Sequence, residues 1–217
     1  FGEIFNPAVV DSIAWQCAGY ETTPELLRLR ADDPLTLLER VIFANHPSGV
    51  RACGFKLFYY HARKPPQDAI WPYLRDDRSL EVIHLRRRNE LRKHVSEEVA
   101  RMTGRWHIAH DADAHRDISL ELDIGRCLRA MDLFREQEQQ ALAALGPHET
   151  LDLYYEDLLQ HYATRIAQVL RFLGLDERPL HAGTLKQIRQ PLSELISNYD
   201  QVREALATTR WSAFLDD

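Results

Sequence analysis

The sequence predicts an α/β layer fold built on a parallel sheet. Three short runs rich in aromatic and aliphatic residues read as strands: Ala52–Tyr60, Leu80–Leu85 and Leu151–Tyr155. Longer stretches of helical period separate them, and Gly or Pro marks several of the joins. Strands alternating with helices are the signature of that fold class.

The elements follow in order. Asp33 then Pro34 is a helix start, an N-cap followed by a proline at the first helical position. Leu35, Leu38, Val41 and Ile42 recur at helical spacing, and Asn45-His46-Pro47-Ser48-Gly49 stops the helix. The first strand, Ala52–Tyr60, carries Lys56 in its middle. Pro66–Arg75 reads as a helix. Leu80–Leu85 is mostly apolar and so reads as a strand buried on both faces. Asn89–Met102 is a helix stopped by Gly104. Trp106–Ser119 is polar and reads as a loop. Leu120–Leu145 is a long helix ended by Gly146-Pro147, Leu151–Tyr155 the third strand, Leu158–Leu173 a helix ended by Gly174, and Leu192–Leu206 the last helix. Three strands are few for an open sheet, so a further strand is expected upstream of Phe1. The chain starts without methionine and without a signal-peptide core, which suggests part of a longer polypeptide.

Composition narrows the function classes. At 217 residues the chain suits one domain with a sizeable core. The net charge of −6 argues against a nucleic-acid binder held by bulk positive charge. Cys17, Cys53 and Cys127 lie far apart and form no C-x-x-C pair, which points to a reducing, cytoplasmic compartment. No apolar run is long enough for a membrane span. His107, His110, Asp111, Asp113 and His115 invite a metal reading, but no recognised ligand spacing supports it. The segment reads better as a loop covering a substrate.

The most informative stretch runs from Leu80 to Ser96. A strand passes straight into Arg86, Arg87 and Arg88, and a helix opens at Asn89. Ligands of open α/β sheets sit outside the carboxyl ends of strands. A helix N-terminus offers unpaired amides to an anion, and arginine adds a bidentate fork. Cations at a helix N-terminus oppose its dipole, so three arginines there call for an anion. Asn89, Arg92 and Ser96 fall near one helix face over about 10 Å. That edge can hold a phosphate. Gly49 to Lys56 superficially matches a phosphate loop. However, a residue is inserted before the lysine, no Ser/Thr follows, and the segment leads into a strand.

Val82-Ile-His-Leu-Arg-Arg-Arg-Asn-Glu-Leu-Arg-Lys-His-Val-Ser96, then Ala100-Arg-Met-Thr-Gly-Arg-Trp106, resembles the sulfotransferases that use 3′-phosphoadenosine 5′-phosphosulfate (PAPS). The likeness is greatest to the bacterial carbohydrate branch, the nodulation-factor and trehalose types. Gly2–Pro7, Gly54–Phe58, Tyr155–Leu158, Phe172–Leu175 and Lys186–Gln190 with Ser197-Asn198-Tyr199 agree in order and spacing. The resemblance implies a single sulfotransferase domain over 1–217. Its fold would be three-layered and P-loop-NTPase-like, with the N-terminal strand and phosphosulfate loop missing from what is given. It also implies sulfuryl transfer from PAPS to a carbohydrate or glycolipid hydroxyl, releasing 3′,5′-ADP without a metal.

The implied site residues follow. Arg88 and Ser96 match the pair that grips the donor's 3′-phosphate, and Arg189 lies in a basic stretch that returns to that side. Glu3 stands where the trehalose type places its base. His61 is the rival, near where the cytosolic branch has a catalytic histidine. Lys56 either faces the sulfuryl group, stabilising charge on the bridging oxygen, or is an edge lysine with its amine in water. The alternatives to this reading are a P-loop-like kinase, for which no Walker lysine or Mg²⁺ ligands are visible, and a non-catalytic nucleotide-binding module.

Overall fold

The computed structural model describes residues 2–8, 21–44, 46, 48–106, 118–183, 186 and 188–215. Helix predominates, and side-chain caps explain several boundaries. α1 (Pro24–Asp32) starts at Thr23, whose hydroxyl accepts from Leu26 N, with Pro24 at the first position. α2 (Pro34–Leu37) starts at the expected Asp33 cap and continues as a π turn, Leu38–Ile42. A 3₁₀ turn, Gln67–Ala69, leads into α3 (Ile70–Asp76). β1 (Val82–Arg86) precedes α4 (Glu90–Thr103), which is capped by Asn89 at one end and by left-handed Gly104, φ 68°, at the other. α5 (Ile124–Leu145) ends at Gly146, where a Cβ would lie 2.8 Å from the Leu142 carbonyl oxygen. β2 (Thr150–Tyr154) pairs with β1 in a two-stranded parallel sheet. α6 (Tyr155–Gln160), α7 (Tyr162–Phe172), α8 (Leu192–Leu195), α9 (Tyr199–Ala207) and a 3₁₀ turn at Ser212–Phe214 complete the order. No helix among the described residues is long and apolar enough to cross a membrane.

The α/β class holds, and several elements differ from expectation. The strand expected at Ala52–Tyr60 has no ladder. Lys56 N donates to Gly2 O at 3.1 Å, and one such bond does not make a strand. The sheet therefore has two strands among the described residues, where three were expected. The strand at Leu80–Leu85 forms two residues later than expected and is not buried on both faces, since Ile83 and Leu85 are 39% and 51% exposed. The helix expected at Leu158–Leu173 is two helices, broken where His161 leaves helical geometry (φ −133°, ψ 45°). The last helix is also two. Ile196 is extended and bridges Leu120, so sheet-like pairing overrides the helical period between α8 and α9. The same bridge holds Leu120 out of α5, which starts four residues later than expected, just after Asp123 accepts from Arg126 N. The stop residues Asn45 and Pro47, the Trp106–Ser119 loop from His107 to Asp117, and Cys17 lie outside the described residues.

The chain divides into two units. The first comprises Phe1–His84, Gln137–Leu151 and Gln168–Glu177. Its core gathers Ile4, Phe5, Leu37, Leu38, Ile42, Ile70 and Trp71. The second comprises Leu85–Glu136, Asp152–Ala167 and Arg178–Asp217. There the i, i+4, i+8 face of α4 (Leu91, Val95, Val99) packs with Cys127, Met131, Leu192, Leu195, Val202, Leu206 and Trp211.

Candidate functional site

In the first unit Glu3, Lys56 and His61 lie together although 58 positions separate the outer two. The segment Gly2–Asn6 forms a tight turn, with Ile4 N and Asn6 N donating to Gly2 O and Glu3 O. Ile4 and Phe5 are buried and anchor the turn in the core. Lys56 N on Gly2 O then ties the two segments together. Lys56 Nζ donates to Glu3 Oε1 at 2.7 Å, while Asn6 Nδ2 donates to Glu3 Oε2 at 2.9 Å. The ammonium also stands 4.4 Å from the centre of the Phe58 ring.

His61 is fully buried, against the edges or faces of Phe58 and Tyr60 at 5.0 and 4.7 Å between ring centres. Phe58 N donates to its Nδ1 at 3.3 Å, and its Nε2 is buried with no partner among the described residues. An Nδ1 that accepts carries no proton, which assigns the proton to Nε2. Burial pushes the imidazole down to about 4; Glu3 opposes that shift and Lys56 adds to it.

In the second unit the arginines leave β1 beside the acidic turn that follows β2, because the strands run parallel. Arg88 makes a bidentate pair with Asp157, at 2.6 and 3.1 Å. Its backbone N–H is shared by both Glu156 oxygens at 3.2 Å. Arg165 Nη2 donates to the same Asp157 at 3.1 Å. Arg86 pairs with Asp152 at 3.1 Å. The rings of Tyr154 and Tyr155 lie under the guanidinium groups of Arg88 and Arg87 at 4.0 and 4.2 Å. The hydrogen bond from Arg88 holds the Asp157 carboxyl below its usual range, and the same bond raises Arg88. For Arg86 and Arg88 the anion is thus supplied by the chain itself. That Glu156 and Asp157 answer Arg88 is not read from the sequence. Neither residue caps α6, whose N-cap is Tyr154 without a side-chain bond. The available signal was topological: residues just after adjacent parallel strands meet.

The remaining expected residues take these places. Ser96 is half-buried on α4, two turns beyond its start. Arg189 is exposed, and the backbone carbonyl of its neighbour Gln190 accepts from Arg92 Nη2 at 3.0 Å. Asn89 Oδ1 accepts from Arg92 N at 2.9 Å, and its amide donates to Phe214 O at 2.9 Å. The His107–His115 cluster lies outside the described residues. Among those described, no three His, Cys, Asp or Glu side chains gather as a metal site would need. No family model matches the chain, and it matches no curated protein and no solved structure.

Proposed function

We propose that this chain is a PAPS-dependent sulfotransferase acting on a carbohydrate or glycolipid hydroxyl, with the P-loop-NTPase-like sulfotransferase fold its motifs resemble. The observation that carries the reading is the Glu3–Lys56 pair at 2.7 Å, with Asn6 on the second carboxylate oxygen. A base and a cation held side by side are what hydroxyl-to-sulfur transfer asks of a protein. Bound PAPS supplies an activated sulfuryl group and a stable leaving group in 3′,5′-ADP.

This chain's own residues then have defined roles. Glu3 Oε1 takes the hydroxyl proton of the acceptor, and Asn6 fixes the carboxylate's plane. Lys56 neutralises Glu3 at rest and offers its charge to the oxygen on which negative charge builds. What favours Glu3 over His61 is the imidazole's bonding. Its one lone pair faces Phe58 N, and its other nitrogen already carries a proton. His61 is read as a packing residue that supports the turn. For the 3′-phosphate, the fit rests on Arg88, whose fork already holds a two-oxygen anion in bidentate geometry. Ser96 and Arg189 are the further ligands proposed on that side.

The test is turnover. The protein, incubated with PAPS and a panel of mono- and disaccharides, glycolipids and simple alcohols, is expected to release 3′,5′-ADP with at least one acceptor. Release from none of them, with no binding of 3′,5′-ADP either, would overturn the proposal in favour of a non-enzymatic module.

A further inference from the structure

We propose that Asp157, assisted by Glu156, is an internal anion that occupies the donors of Arg88 and must be displaced when a 3′-phosphate binds. The inference rests on the sulfotransferase reading above and concerns the regulation of that same site. Arg88 offers an incoming phosphate two kinds of donor, its guanidinium fork and its backbone N–H. Both are taken. Asp157 accepts from the fork at 2.6 and 3.1 Å, and Glu156 covers the N–H at 3.2 Å from each oxygen. The two carboxylates together cover the donors that Arg88 would offer a phosphate just before α4.

The contact is built to exchange. Arg88 is 49% exposed at its side chain, so an anion reaches it from solvent. Tyr154 lies under its guanidinium at 4.0 Å and keeps the plane in place whichever anion is bound. Asp157 does not become an orphan on release, because Arg165 on α7 already donates to its Oδ2 at 3.1 Å. Asp157 therefore has a cationic partner in both arrangements. The resting contact therefore sets a threshold against weak anions without a large barrier to a strong one.

Calorimetric titration of 3′,5′-ADP and of 5′-AMP into the full chain and into Asp157→Asn and Glu156→Gln tests this. Asp157→Asn keeps the shape and removes the competing charge. It is expected to tighten 3′,5′-ADP binding about 2–5-fold, the scale of an exposed ion pair released, with 5′-AMP unaffected. Glu156→Gln is expected to give a smaller gain in the same direction. A residue that merely orients Arg88 would move affinity the other way. If the intact protein binds 3′,5′-ADP and neither variant gains, the internal-anion proposal is wrong and the functional reading stands. If Asp157→Asn does not fold, Glu156→Gln decides alone, and equal or weaker binding refutes the proposal. Failure of all three proteins to bind 3′,5′-ADP overturns the functional reading and this inference with it.

Discussion

The Glu3–Lys56 pair of the first unit stands on irregular chain, whereas the Arg88–Asp157 pair of the second stands where parallel strands turn into helices. In the first, backbone ties and two buried anchors, Ile4 and Phe5, bring distant residues together around one acid, one cation and a neutral imidazole. In the second, regular secondary structure sets the register, and Arg86 and Arg88 meet three acids, Asp152, Glu156 and Asp157. Regular elements place many charges and let them neutralise one another. A loop turn places few and leaves their chemistry less spent. For that reason the proposed proton transfer is assigned to Glu3 and anion recognition to Arg88.

The largest expected effect separates the two clusters by kind. Glu3→Gln keeps the shape and one acceptor oxygen, for Lys56, turns the atom facing Asn6 Nδ2 into a donor, and cannot take a proton. The turnover rate constant should fall roughly 10²–10⁴-fold while 3′,5′-ADP affinity holds. Activity that survives Glu3→Gln and vanishes in His61→Ala would transfer the role to the histidine.

Lys56→Met removes the charge and keeps the stem. A loss of about 10²–10³-fold in rate is expected from a missing donor of this kind. An unchanged rate constant would return Lys56 to a surface ion pair.

A third effect is on stability and belongs to the first unit. His61 has a folded-state value near 4, below the ordinary 6.5. Between those values the unfolded chain binds the proton and the folded one does not, so stability is intact above pH 6.5 and declines as pH falls toward 4. The slope from this one group is at most about 1.4 kcal/mol per pH unit. Burial of His94 on α4 acts in the same direction. Urea melts from pH 7.5 to 4.5 on the protein and on His61→Gln measure it, and the variant should show the shallower dependence. Parallel curves would mean that His61 is not buried neutral.

The smallest effect is at Arg86. Its pair with Asp152 is half-exposed on the acid side, so Asp152→Asn should cost only about 0.2–1 kcal/mol in a denaturant melt. A cost well above that would show that the second cluster is a stability device more than a binding one.

Local signals in the sequence were read well where they act locally. Asp33-Pro34 and Asn89 cap as their side chains dictate, and Gly104 and Gly174 stop their helices with φ of 68° and 60°. The last of these closes with Leu175 N on Leu170 O, a bond only a left-handed residue permits. What failed depends on partners. Ala52–Tyr60 has strand composition, but a strand is a ladder, and composition names no partner. Ile196 breaks a helical period because Leu120, far along the chain, offers it a bridge. Asn198 then continues that bridge with its side chain, exchanging two 2.9 Å bonds with the Leu122 backbone. In the candidate site, the residue types at Glu3, Lys56 and Arg88 were legible. The bonds that set their chemistry, from Asn6, Phe58 and Asp157, come from tertiary contacts and were not.

The central claim is that Arg88 at the start of α4 recognises a 3′-phosphate. Calorimetry with 3′,5′-ADP against 5′-AMP, on the intact protein and on Arg88→Ala, tests it most directly. The account predicts that the intact protein prefers 3′,5′-ADP and that Arg88→Ala weakens its binding and loses most of the preference. Equal affinity of the intact protein for both nucleotides, or an Arg88→Ala variant that keeps the preference, would contradict it.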